Sequence, residues 1–390
     1  MQILKSTSVL SHSHLYNRLC KPKQPFFTSF SSLAKTSRSP NPAHFHYLIN
    51  TFNFSETQAL TISSRISSSK SIENAESVFH FFKNLGFSNS QIQSAARRFP
   101  RIIFSNIDRC LKPKIKVFQD LGLEGYDLGM FISKSSSVLG ASLKNKLVPC
   151  IEILKKHLLN QKNNKHVVKV LTRCAWVVTK KNPESRLLSG IAYWESCGIV
   201  GSQLSMLLVR QPRLLCCPES VLRDLVSRTL NMGFSANSGM LIHGLCAVYS
   251  LSDKTIERKY GIFRSFGFSE YQYREIFRKA PYSLLMSDEQ LKFRINFFLN
   301  TAKLEKETLI CNPAILMQSM EERVIPRFKV FEILKSKKLF KKEPSFVRLL
   351  FLTEEVFVQR FISSFSDKAE ELLLAYKGHT LDSSSKKEKS

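Results

Sequence analysis

The sequence predicts an all-α chain: a right- or left-handed superhelical solenoid of about eight helical repeats, each of two α-helices plus a short 3₁₀ helix. Three observations carry this. A dipeptide ending in glycine returns in phase, at Leu85-Gly86, Leu121-Gly122, Cys197-Gly198, Met232-Gly233 and Phe266-Gly267. Gly198 to Gly233 spans 35 residues and Gly233 to Gly267 spans 34, a period that marks stacked helical units. A proline phrase closes several units, at Phe99-Pro100-Arg101, Gln211-Pro212-Arg213, Ala280-Pro281-Tyr282 and Asn312-Pro313-Ala314. Hydrophobic residues form 43% of the 390, with Phe at 30, enough for a core running through the array. The length alone suggests two or three globular domains, but a stacked array grows by adding units.

Residues 1–50 carry Lys5, Arg18, Lys21, Lys23, Lys35 and Arg38, and the first acid of the chain is Glu56. A basic, Ser-rich stretch without acids reads as a disordered organellar transit peptide; the other reading is a basic arm that stays attached. The amphipathic start, Met1 to Leu19, points to the mitochondrial matrix, and the Ser-rich middle to the chloroplast stroma. Residues 51–376 form the repeat domain. Ala59, Leu60, Ile62 and Ile66 fall near one helical face behind a Ser55 cap and read as a half-repeat. The polar stretch Ser67 to Ser71 is a break.

Repeat one starts at Ile72, with Val78, Phe79, Phe82 and Leu85 on one face. Gly86 suits the left-handed residue that ends a helix. Ser88 caps the next helix, with Gln91 at the reciprocal capping position. Pro100 ends that second helix for want of an N–H donor and restricts Phe99. Ile102 and Ile103 then read as a short 3₁₀ turn. The units begin near Glu73, Leu111, Leu147, Leu187, Leu222, Thr255, Leu291 and Arg323. Ser137, Ala175 and Ala247 replace the late proline in three of them. A polar insertion, Asn160 to His166, is a surface loop. Ser366 to Tyr376 is a last amphipathic helix, and residues 377–390 a disordered charged tail.

Net charge is +27, from 58 Lys+Arg against 31 Asp+Glu, which favours a polyanionic partner over a merely basic soluble protein. Alignment on the late proline exposes one column. Arg98, Arg210 and Lys279 stand two residues before it, Arg173 does so before Ala175, and Arg101 and Arg213 follow it. A cation placed once per unit makes a ladder suited to a phosphate backbone. Six such contacts would give a slope of log K against log salt of roughly −5 on duplex. The competing reading is that each cation complements a helix C-terminus for about 0.3–1 kcal/mol.

First-helix cations (Lys112, Lys114, Lys116, Arg223, Arg228, Lys292 and Arg294) read as an outer solvated face, with a binding face as the alternative. Phe79, Phe82, Phe263, Phe266, Phe297 and Phe298 read as core. Trp176 and Tyr282 follow the proline column, and burial is the first expectation, base stacking the second.

The nine cysteines show no CxxC pair or zinc-finger spacing and read as small buried residues of a reducing compartment, with Cys216-Cys217 a weak redox candidate. There is no glycine-rich phosphate loop, HExxH or GxSxG. Asp120, Glu124 and Asp127 lie at a joint without a metal pattern, and His157 and His166 read as surface residues. No enzyme activity, catalytic residue, metal, cofactor or membrane span is expected.

The repeated joint (Leu85 to Ser88, Met232 to Ser235, Phe266 to Ser269) and the late Pro-x-x-Leu/Ile (Pro100 to Ile103, Pro212 to Leu215, Pro281 to Leu284, Pro313 to Leu316) together resemble the mitochondrial transcription termination factor (mTERF) family, in its organellar plant-like branch. The resemblance covers about residues 55–376. It implies an all-α superhelix that binds nucleic acid, duplex DNA first and organellar RNA second, through a basic surface in transcription termination, initiation or intron splicing. Organellar transcription or splicing proteins are implied partners, with the chain itself a monomer; an adaptor holding a protein partner is the alternative. A pentatricopeptide array has a similar period. Its one matching fragment, Leu241 to Cys246, occurs once, and the glycine joint and late proline do not belong to it.

Overall fold

A computed structural model describes residues 42–64, 72–158 and 164–385. Every regular element is helical, and no strand occurs among these residues. Two compact units divide the described chain between Asp224 and Leu225, inside the helix Glu219–Asn231.

The first unit opens with a helix, Pro42–Phe52, that begins inside the segment expected to be a presequence. His44, Leu48 and Phe52, four residues apart, are its buried face. This helix pairs with Glu56–Ser63, so the expected half-repeat is a full helix pair. The rest of the presequence expectation, residues 1–41, lies outside the described residues, as does the break at 67–71. Repeat one follows as Ile72–Asn84, Asn89–Arg98 and a 3₁₀ turn Pro100–Phe104. The pattern continues through Lys112–Asp120, Gly125–Ser135 and Ser136–Gly140, then Val148–His157, Lys165–Cys174 and Trp176–Thr179. Most of the insertion expected at 160–166 lies outside the described residues. Pro183–Ser196, Gly201–Arg210 and Pro212–Leu215 complete the unit's last repeat.

The second unit holds Leu241–Ser250, Asp253–Ser265, Glu270–Lys279, Pro281–Leu285 and Asp288–Asn296. Lys306–Cys311, Pro313–Met317, Ile325–Ser336 and Phe346–Phe351 follow, and Ala369–Ser385 ends it. That last helix runs past Tyr376 through most of the tail expected to be disordered. It is rooted by buried Leu372 and Tyr376 at helical spacing.

The joint has one recurring geometry. Gly86 takes a φ of +85°, its N–H reaches Lys83 O at 2.9 Å, and Phe87 N–H reaches Phe82 O at 3.1 Å. Phe82 and Phe87 pack with ring centroids 5.1 Å apart, completing a Schellman stop with its apolar contact. Ser88 Oγ then accepts from Gln91 N–H while Ser88 N–H donates to Gln91 Oε1 at 2.9 Å, and the same box recurs at Ser269/Gln272 and Ser55/Gln58. Asn53 (φ +50°), Lys303 (φ +52°) and Lys338 (φ +51°) fill the left-handed slot where other joints use glycine. The slot is tolerable for Asn but costs a lysine about 1–2 kcal/mol.

The short turn survives loss of its proline in two of three cases. Ser136–Gly140 keeps 3₁₀ geometry and Trp176–Thr179 becomes one α-turn, because apolar residues still hold them in the core. Ala247 instead lies within Leu241–Ser250, a helix that runs on directly to the Ser252 cap.

First-helix cations divide, with Lys114, Arg228 and Arg294 leaving the expected solvated face. Lys114, only 8% exposed, donates to Leu139 O at 2.6 Å, at the end of its own repeat's short turn. Lys146 to Lys180 O, Arg228 to Leu251 O, Lys259 to Met286 O, Arg294 to Leu316 O and Arg327 to Leu349 O repeat the contact. These carbonyls lie at helix ends, where backbone acceptors are under-satisfied, so a cation satisfies both a lone pair and the dipole. Lys112, Lys116 and Arg223 do face solvent, in i,i+4 pairs with Asp108, Asp120 and Glu219.

Lys259, 2% exposed, also pairs with Asp288 at 2.7 Å. That hydrogen bond, followed by the charges of Lys259 and Arg258, holds the Asp288 carboxyl below its ordinary 3.8. Because the folded value is depressed, the pair's stabilisation is complete above the ordinary value and is lost as pH falls through the depressed one. Asp288→Asn should therefore flatten the acid limb of a melting-temperature profile and leave its dependence near pH 7 unchanged.

Candidate nucleic-acid interface

The late-proline column sits where second helices end, and the structure divides its members. In the first unit Arg98, Arg101 and Arg213 are exposed, and their guanidinium groups make no hydrogen bond or ion pair with any described residue. Arg98 ends the helix Asn89–Arg98, and Arg101 and Arg213 each follow the proline that opens a 3₁₀ turn. Pro100 and Pro212 thus fix the backbone from which these two side chains project.

Arg173 is half-buried and donates to Val209 O at 3.3 Å and Arg210 O at 2.9 Å, tying its helix to the end of the next repeat's second helix. In the second unit Lys279 makes the matching contact, to Ile310 O at 3.1 Å. Arg173 and Lys279 thus complement a neighbouring helix end, as the competing reading expects, and Lys279 also lies 3.9 Å from Glu275.

The structure adds a residue that the alignment missed. Lys169 lies one turn before Arg173, and its pKa is lowered first by desolvation and then by the charges of Arg173 and Arg210. Lys169, Arg173 and Arg210 thus lie close enough for their charges to act on one another. The sequence signal was a lysine four residues before the column, visible only once the helix register of Lys165–Cys174 is known.

Other second-helix cations reach back to the preceding joint: Arg97 to Asn53 O, Arg278 to Gly233 O and Lys306 to Gly267 O. Trp176 departs from the burial expected of it and stands 36% exposed on its short turn, three residues after Arg173. Tyr282 is buried, with His243 Nδ1 at 3.2 Å from its hydroxyl.

Cys110 and Cys311 are exposed, unlike the burial expected of the cysteines. Burial pushes the Cys174 and Cys216 thiols up to about 12, so neither supplies a thiolate near neutral pH. Among the described residues no group of His, Cys, Asp or Glu could hold a metal ion, and no helix is long and apolar enough to cross a membrane. An open cleft of about 330 Å³ in the second unit is bordered by Tyr260 and Tyr273. Its lining holds the ion pairs Arg228–Asp253 and Arg274–Glu270, with Glu257 beside them.

The mTERF family profile matches residues 79–238 and 136–358, together well over half of the chain. The chain is also similar to a protein of Arabidopsis thaliana described as the chloroplastic transcription termination factor MTERF8, with 24% identity over 270 residues. That alignment takes in 69% of this chain and 52% of the relative, so the chain spans about half the length of the curated relative it matches. With the glycine joints, the late prolines and the helix-pair repeats all in place, the chain belongs to the mTERF family.

Proposed function

We propose that this protein is an organellar nucleic-acid-binding regulator that grips the phosphate backbone of duplex DNA in transcription termination or initiation. The observation that carries the reading is the exposed set Arg98, Arg101 and Arg213 at the late-proline column, whose guanidinium groups bond to no described residue. Membership of the mTERF family and similarity to a chloroplastic transcription termination factor support it. Contacts from fixed cations to phosphate orient the protein without reading bases, so affinity is expected to vary little with sequence.

Fluorescence anisotropy with duplex DNA and with single-stranded RNA, at several salt concentrations, tests this. The late-proline column alone is expected to contribute to the slope of log K against log salt on duplex between roughly −3, for Arg98, Arg101 and Arg213, and roughly −5 if Arg173, Arg210 and Lys279 also engage. Replacing Arg98, Arg101 and Arg213 by Glu should weaken binding uniformly across sequences. A flat salt response would overturn the proposal. Stronger binding to RNA would move the role to transcript processing or splicing. A protein partner retained after nuclease treatment would favour an adaptor. Import into isolated mitochondria and chloroplasts separates the matrix from the stroma.

A further inference from the structure

We infer that the joint between Ile325–Ser336 and Phe346–Phe351 is a second polyanion-contact surface, built to hold a nucleic-acid phosphate backbone through Lys338, Lys341 and Lys342. The ligand class rests on the nucleic-acid reading above; the site does not share residues with it.

The first observation is conformational. Lys338 occupies the left-handed slot that Gly86, Gly122, Gly198, Gly233 and Gly267 fill at other joints. Its backbone makes the same stop, with Lys338 N–H to Lys335 O at 3.0 Å and Leu339 N–H to Leu334 O at 2.9 Å. A glycine would make these bonds without strain, so nothing in the stop requires a side chain. The Lys338 side chain is exposed and bonds to no described residue. Lys303 repeats the substitution one repeat earlier, also exposed. A strained residue whose side chain does nothing for the fold points to a role outside it.

The second observation is charge. Lys335, Lys337, Lys338, Lys341 and Lys342 are all exposed within eight residues. Lys335 pairs with Glu343 at 2.7 Å and Lys337 pairs with Glu371, while Lys338, Lys341 and Lys342 have no carboxylate partner among the described residues. The third is rigidity. Between the lysine pairs, Phe340 turns inward, its ring 5.6 Å from Phe331 and 6.3 Å from Phe361. The lysines are thus displayed from an anchored loop. Three unmatched point charges on a fixed backbone suit a repeating phosphate chain, which lysine contacts without reading sequence.

The test uses the full chain and two variants, with duplex DNA as probe. Replacing Lys338, Lys341 and Lys342 together by Gln should lower the magnitude of the salt slope by roughly 2 to 3, about 0.9 per phosphate lost. Far-UV circular dichroism checks that the fold is kept. Lys338→Gly alone should lower the slope by roughly 1 while raising the melting temperature by about 2–4 °C, a combination a purely structural role would not give. An unchanged slope in the triple variant overturns the inference, and so does a lower melting temperature for Lys338→Gly. If the unsubstituted chain shows no salt-dependent binding, the proposed function itself fails; if it binds and the variants match it, only this site fails. Lysine-dependent cosedimentation with phosphatidylserine vesicles, without effect on duplex binding, would reassign the surface to a membrane.

Discussion

Replacing Arg327 by methionine is expected to destabilise the second unit by about 1.5–3 kcal/mol, the cost of removing a charged donor from buried acceptors. The Arg327 side chain is 0% exposed. Its Nη1 donates to Leu349 O at 2.6 Å and Leu352 O at 2.9 Å, and its Nη2 to Glu354 Oε2 at 3.0 Å. The guanidinium also lies 4.5 Å from the Phe357 ring centroid. Tyr376 closes the network by donating to Glu354 at 2.7 Å, and burial, with that bond second, pushes its hydroxyl up to about 12. Methionine fills similar volume but removes the shorter hydrogen bond from each of the two carbonyls, which keep only contacts at 3.4 Å from Leu352 N–H and Arg323. Glu354→Gln removes much less, about 1 kcal/mol, since Glu354 is half exposed and an amide oxygen still accepts. Urea unfolding followed by circular dichroism checks both. A loss under about 1 kcal/mol for Arg327→Met would show that the network is dispensable.

The second large effect is at Gly190. A β-carbon there would lie 2.1 Å from Leu215 O and 2.8 Å from Leu215 C, so the helix Pro183–Ser196 rests directly on the short turn Pro212–Leu215. The obstacle is backbone and cannot rotate away. Gly190→Ala gains about 1 kcal/mol of helix propensity against an overpacking cost of up to about 3 kcal/mol, leaving a net loss of about 2 kcal/mol. Trp194, one turn on and fully buried, reports the shift by fluorescence. At Gly261, in the helix Asp253–Ser265, a β-carbon would meet nothing within 4 Å, so the same substitution there should stabilise.

The joints, capping boxes and proline stops were legible because each is set by residues within one turn of each other. Ser88 and Gln91, or Gly86 and Phe87, need no knowledge of the rest of the chain. The last two joints were not legible, because Lys303 and Lys338 carry no glycine signal and only φ identifies them. The helix Pro42–Phe52 was hidden by the basic, Ser-rich composition around it, although His44, Leu48 and Phe52 hold helical spacing. For the interface, the sequence could place Arg98, Arg101 and Arg213 at helix ends, where the structure also finds them exposed. It could not tell them from Lys114 or Arg294, since residue type is the same and the difference lies in where the short turn folds back.

Those cation–carbonyl contacts sort into two kinds. Lys114, Lys259, Arg294 and Arg327 close their own repeat, whereas Arg173, Lys279, Arg278 and Lys306 bridge to an adjacent one. The first kind adds to the intrinsic stability of a unit and the second to the coupling between neighbours, the two quantities that set how a stacked array melts. The buried closures are poorly screened by ions, while the phosphate contacts proposed for the exposed arginines would be screened strongly. Raising the salt should therefore strip bound polyanion long before it loosens the array, so the protein can be eluted from a heparin column with its repeats intact.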